Sequence, residues 1–188
     1  KNRLGLEIAQ EWTSDIGTII KKRNLMKVPI CYEDNYIIVV LKPCNVLVHH
    51  SHMARNMYEE TTLLDLLQEQ YKHKYYPLHR LDRKTSGIIL LAKTREHVSV
   101  FQDLFLQNKI QKTYFALVRG YAPESGLIDS PVKGRDANVY KEALTTFKKI
   151  NKIALNIAVH PYESSRYSLV ELKPKTGRLH QLRIHLNK

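Results

Sequence analysis

Residues 77–93 hold the chain's most chemically loaded stretch, where His79-Arg80-Leu81-Asp82-Arg83 passes through Thr85-Ser86-Gly87 into an apolar run at 88–91. A carboxylate set between two guanidiniums at the mouth of an apolar strand is costly to hold in place. It makes Asp82 the first candidate for chemistry, as a nucleophile or as a general base. The same residue types also describe a loop Asp that pairs with Arg80 or Arg83 and only fixes a turn, and local composition leaves both readings open. A second cluster, His49, His50 and His52, has no Cys or carboxylate companion at ligand spacing. It reads as a polar loop or plain surface before it reads as a metal site.

The elements that must position these residues follow from periodicity. Small residues and Gly87 permit a turn after Asp82, and the short apolar run 88–91 is expected to be a fully buried strand. Strands are expected at 30–32 and 36–41 around a turn at Glu33-Asp34-Asn35, with Pro43 ending the second. Thr62-x-x-Asp65 is a capping box, so a helix is expected over 62–71. Another is expected over 95–108, with Val98, Phe101, Leu104 and Phe105 as its buried stripe.

Residues 112–120 have strand composition, with Tyr114, Ala116 and Val118 on one face. Residues 121–140 read as a long loop whose Lys133 and Arg135, with Lys141 just after it, either meet a ligand or are simply solvated. Strands are expected at 142–150, 152–159 and 167–173, in antiparallel order. Thr176 is expected to cap a closing helix whose apolar side is Leu179, Leu182 and Leu186. At the other end, Ile8, Trp12, Ile16 and Ile19 recur at helical spacing within 4–22, followed by Lys21, Lys22, Arg23 and Lys27. That stretch is either an amphipathic segment packed on the domain or a basic appendage.

The 188 residues hold 30 Lys and Arg against 18 Asp and Glu, a net charge of +12 that favours a polyanionic partner. No apolar run approaches the ~20 residues that cross a bilayer, and no signal peptide is visible. Cys31 and Cys44 lack a CxxC spacing, which fits a reducing cytoplasm. The length suits one domain. The chain begins at Lys1 and stops at Lys188 inside a helix-like stretch, so a fragment of a longer protein is expected.

The run His79-Arg80-Leu81-Asp82-Arg83 with Thr85-Ser86-Gly87 and the strand after it resembles the signature of the RluA family of pseudouridine synthases. The resemblance extends to Lys42-Pro43 and Val46-Leu47-Val48-His49, to 112–120, and to Thr176-Gly177-Arg178-Leu179-His180-Gln181-Leu182-Arg183. Asn45 stands where that family usually has Gly, and Asn is the next best residue for a left-handed backbone. The resemblance implies that Asp82 is catalytic and that Arg80 enters the RNA where the target base has left. It implies that Tyr114 stacks on the target uracil. Arg183 is implied to be a buried partner of Asp82, since a carboxylate buried without an opposite charge would take up a proton. His79, Arg83, Arg178 and His180 complete the implied RNA contacts, Arg178 as a phosphate ligand.

Residues 160–186 look most like the subgroup that modifies position 65 of tRNA. The implied fold is α+β, a mixed and mostly antiparallel sheet flanked by helices over 30–188, after an unassigned basic segment at 1–29. No cofactor or metal is expected, in keeping with the lack of a dinucleotide fingerprint, P-loop or metal-ligand spacing. The expected protein is a cytoplasmic monomer acting on RNA, specifically tRNA. The alternatives are a ribosomal RNA enzyme of the same family and a noncatalytic RNA-binding protein.

Overall fold

A computed structural model describes residues 27–50, 60–134 and 139–187. The amphipathic stretch at 4–22, His52 and Arg135 lie outside them. The chain divides into two compact units, one ending at Asp103 and the other starting at Leu104. Every strand pairing among the described residues is antiparallel. With the helices beside the sheets, the class is α+β.

In the first unit the strands β1 (Ile30–Glu33), β2 (Ile37–Lys42), β3 (Tyr76–Pro77) and β4 (Gly87–Ala92) form one sheet in the order β1-β2-β4-β3. The β1–β2 turn closes on Asp34, whose Oδ1 accepts from the backbone amides of Tyr36 at 2.7 Å and Ile37 at 2.8 Å. The helix α1 (Leu63–Tyr71) starts at the expected capping box. The Thr62 hydroxyl accepts from the Asp65 amide and the Asp65 carboxylate accepts from the Thr62 amide. Its buried Leu63, Leu66 and Leu67 belong to a core with Ile38, Val40, Ile89 and Leu91. Each such side chain contributes about 1.5–3 kcal/mol by leaving water.

The run 88–91 is not buried throughout, because Ile88 is 47% exposed while Ile89 and Leu91 are fully covered. An antiparallel strand covered on one face alternates, and β4 does so.

The second unit carries β5 (Tyr114–Arg119), β6 (Ser125–Asp129), β9 (Leu144–Leu155) and β10 (Ser165–Pro174) in the order β5-β10-β9-β6. A ribbon of β7 (Val132–Lys133) and β8 (Tyr140–Lys141) lies in the chain between β6 and β9. The expected loop over 121–140 therefore contains strands. Gly126 shows why they were hard to see: it pairs with Phe147, and a Cβ there would sit 2.7 Å from the ring, so a residue that weakens strand propensity is the one that fits.

The two strands expected at 142–150 and 152–159 are one 12-residue strand. Leu169 faces Asn151 and Val170 faces Lys149, so Ile150 is the extra residue of a β-bulge. Along β5 the expected face holds, with Tyr114, Ala116 and Val118 half-buried and Phe115 and Leu117 exposed.

The helix α2 (His97–Leu106) crosses the division between the units. Its stripe of Val98, Phe101, Leu104 and Phe105 is half-buried, not buried as expected. The closing helix, α3 (Gln181–His185), is short. No helix among the described residues is long and apolar enough to cross a membrane.

Candidate active site

In the first unit the loop bearing Asp82 is tied down from several sides. Leu78 continues the β3 pairing by donating its amide to the Leu90 carbonyl. One residue on, the ladder is extended by a side chain, because His79 Nε2 accepts from the Leu90 amide at 3.1 Å. His79, expected among the RNA contacts, thus spends a ring nitrogen on the backbone of β4. Asp82 follows at once and closes a turn, its carbonyl accepting from the Thr85 amide at 3.0 Å. Gly87 then enters β4 at φ +136, where any other residue is strained. Arg83, also expected to meet RNA, is ion-paired with Glu60. Asp82 itself is half-buried, and Arg80 beside it is exposed.

Sequence reasoning missed Lys42 as a working part of this loop. Ile38, Val40 and Lys42 form the buried face of β2, and Lys42 has no exposed surface. Its ammonium donates to the carbonyls of Pro43 at 2.8 Å, Val46 at 2.7 Å and Arg83 at 3.1 Å. One buried cation therefore pins the loop after β2 to the residue that follows Asp82. Burial pulls the Lys42 pKa below its ordinary value, and the neighbouring Cys44 and Asp82 oppose that shift. The period-2 alternation of β2 was the available signal, since it places residue 42 on the same side as Ile38 and Val40. Asn45, in the loop Lys42 holds, has φ +64, the left-handed backbone expected of it.

His49 lies at the end of the same loop, with its Nδ1 buried and without a hydrogen-bond partner among the described residues. Burial first, then the charges of Arg80 and His50, lower its pKa from 6.5. Above pH 6.5 the ring is neutral in both folded and unfolded chains. As pH falls through 6.5 the unfolded chain takes up a proton that the folded chain resists, so stability falls until folded His49 also protonates. His49→Gln should flatten this acid-side decline, which urea midpoints measured on both sides of that pH would show. An equal decline in both proteins would mean that His49 does not carry it. Among the described residues no three His, Cys, Asp or Glu side chains group as metal ligands would.

In the second unit Tyr114 opens β5 opposite Leu172, half-buried. The run 176–185 separates into inward and outward residues, and the inward ones are not those expected. Gln181 and His185 are 4% and 2% exposed, whereas Leu179 is 38% exposed and Leu182 and Leu186 are half-buried. Gln181 Nε2 donates to the Leu144 carbonyl and to the Thr145 hydroxyl, and its Oε1 accepts from the Thr176 hydroxyl and the Arg178 amide.

His185 Nε2 lies 2.9 Å from the Ser130 carbonyl, which can only accept, so the proton sits on Nε2. Its Nδ1, 3.0 Å from the Thr145 hydroxyl, then accepts from it. Hydrogen bonds therefore run in one direction, from Gln181 through Thr145 to His185 and on to Ser130. Thr145→Val would keep the shape and strand both neighbours. A loss on the order of 2 kcal/mol is expected in thermal unfolding, and an unchanged midpoint would show that the neighbours find other partners.

Thr176 does not cap α3, whose N-cap is His180 with φ +54. Its hydroxyl instead accepts from the Leu144 amide and donates to Gln181. Gln181 and His185 lie one helical turn apart and face inward, which turns Arg183 outward. Arg183 is exposed, in contrast to the buried position expected of it, and its Nη1 lies 3.3 Å from His180 Nδ1. Arg178, expected on a phosphate, is exposed and donates its Nε to the Glu142 carbonyl at 2.9 Å.

The first unit thus offers an aspartate on a clamped loop; the second, taken by itself, offers a tyrosine at a strand end and an outward arginine beside a buried polar network. Comparison with known proteins gives this set a context. The family model described as RNA pseudouridylate synthase matches residues 36–188. A tRNA pseudouridine synthase C of Pasteurella multocida is 39% identical over 171 residues, covering 86% of this chain and 70% of the relative. That of Vibrio parahaemolyticus is 35% identical over 171 residues, covering 86% and 69%.

Among known structures, human RNA Pseudouridylate Synthase Domain Containing 1 superposes with a TM-score of 0.67 at 24% identity, covering 85% of this chain and 64% of that one. Human RNA Pseudouridylate Synthase Domain Containing 4 gives 0.61 at 25% identity, with 84% and 63% covered. The chain thus spans less than two thirds of either human structure. On the family match and the identity to the bacterial relatives, the chain belongs to the RNA pseudouridylate synthase family, isomerases that act on RNA.

Proposed function

We propose that this chain converts uridine to pseudouridine at position 65 of tRNA, acting as a cytoplasmic monomer with Asp82 as its catalytic residue. The observation that carries the reading is the bracing of the Asp82 loop by His79, Lys42 and the Arg83–Glu60 pair. Bracing of that kind suits a group that must meet a reacting atom within a fraction of an ångström. The reaction breaks the C1′–N1 bond, turns the uracil and joins C1′ to C5; N1 gains a proton and C5 loses one, so nothing is consumed. Asp82 takes part by attacking the nucleoside or by removing a proton from the sugar, and either role requires its ionised form.

Tyr114 is the ring proposed for the target uracil, and Arg183 the proposed cation of the reacting centre. The tRNA assignment is supported by the bacterial relatives' names and by the likeness of residues 160–186 to the subgroup acting at position 65. The net charge of +12 would suit any RNA and does not choose among them.

Loss of the C5 hydrogen provides the assay. Tritium placed at C5 of uridine should be released from unmodified tRNA and not from ribosomal RNA. Release confined to ribosomal RNA would overturn the substrate while leaving the reaction in place.

A further inference from the structure

At the end of β5 remote from Tyr114, two exposed tyrosines and two cations form a cluster that none of the reaction's residues uses. Tyr121 is 49% exposed and Tyr162 is 55% exposed. The Arg166 guanidinium lies 5.6 Å from the centre of the Tyr121 ring and 5.7 Å from that of Tyr162. The Lys152 ammonium lies 5.7 Å from the Tyr121 ring.

The backbone fixes the group. The Gly120 amide donates to the Arg166 carbonyl at 2.7 Å, Arg166 faces Ala154 and Lys152 faces Ser168 across the sheet, and Val159 and Tyr162 exchange backbone hydrogen bonds. Among the described residues neither Arg166 nor Lys152 forms an ion pair. Glu124, which feels the charge of Lys152, is itself held by Lys149 at 2.7 Å. The two cations thus have aromatic faces for neighbours and positive charge left over for a ligand.

We propose that Tyr121, Lys152, Tyr162 and Arg166 form a second RNA contact, in which a phosphate sits on the two cations and a base or ribose lies against an exposed tyrosine ring. Nucleic acid is the ligand that needs both features at once, since its backbone supplies the anion and every base supplies a π-face. Tyr121 follows Tyr114 by seven positions, and the chain is extended over Tyr114–Arg119, which sets the two residues apart by up to about 23 Å. This contact therefore grips the RNA away from the reacting uridine, and it should serve binding and orientation more than the chemical step. The inference rests on the reading of the chain as an RNA-modifying enzyme.

The test compares the parent protein with Tyr121→Ala, Tyr162→Ala and Arg166→Gln, and with Lys109→Ala as a control for loss of one exposed cation elsewhere. Steady-state conversion of an unmodified tRNA transcript is followed, with thermal unfolding as a check on folding. Each cluster variant should raise KM about tenfold with little change in kcat, and Arg166→Gln should also lower the salt dependence of binding by about one counterion. Variants that behave like Lys109→Ala would overturn the contact.

Should a variant fail to fold, the parent protein decides alone. Irradiated with tRNA carrying 4-thiouridine, it should crosslink at Tyr121 or Tyr162, and crosslinks confined to other peptides would overturn the proposal. A parent protein inactive on tRNA would refute the enzymatic reading instead, a result separate from either outcome for the cluster.

Discussion

Asp82→Asn is expected to lower the rate of uridine conversion on the order of 10^4-fold while leaving affinity for tRNA within about twofold, because a carboxamide keeps the shape of the group and loses its charge. The variant should fold normally. The His79 ring, the Lys42 ammonium and the Arg83–Glu60 pair hold this loop, and the hydrogen bond from Thr85 reaches the Asp82 carbonyl, all of which the substitution leaves in place. Single-turnover rates and filter binding separate the two quantities. An Asn variant within about tenfold of the parent rate would remove Asp82 from the chemistry.

Lys42→Met should act on stability instead, by on the order of 4 kcal/mol. Methionine fills nearly the same volume, but it leaves the carbonyls of Pro43, Val46 and Arg83 without their donor. An unsatisfied buried acceptor costs about 1–3 kcal/mol, and relief from burying a charge offsets part of the sum. Activity should fall as well, since the loop bearing Asp82 loses its tie to the loop after β2. Urea unfolding measures the first effect, and an unchanged midpoint would mean that water or other donors satisfy those carbonyls.

Lys42 also marks how far the sequence could be read. The residue types around Asp82 carry their meaning locally, so the loop and its turn are legible in the sequence, and the left-handed Asn45 follows from the family resemblance. Lysine is ordinarily exposed, and its burial here depends on three carbonyls brought from separate loops, which no local window contains. The closing helix misled for a related reason. The apolar stripe reads as the inner face, yet Gln181 and His185 are inside because Thr145 and Ser130, more than 35 residues earlier in the chain, satisfy them.

Short strands fared worst. Ser125–Asp129 contains a glycine that close approach to Phe147 requires, and strand propensity counts that residue against it. Asn151 looked like a break between strands, while the structure absorbs the irregularity as a bulge at Ile150 within one continuous strand. Of the residues expected to meet RNA, His79 and Arg83 are engaged in holding the loop itself, a use that residue type alone does not distinguish from RNA contact.

The most direct measurement incubates the purified protein with an unmodified tRNA transcript, treats the RNA with carbodiimide and maps pseudouridine by primer extension. A single new stop that reports position 65 is expected, present with the parent protein and absent with Asp82→Asn. A tRNA that binds the protein yet acquires no pseudouridine at any position would contradict it.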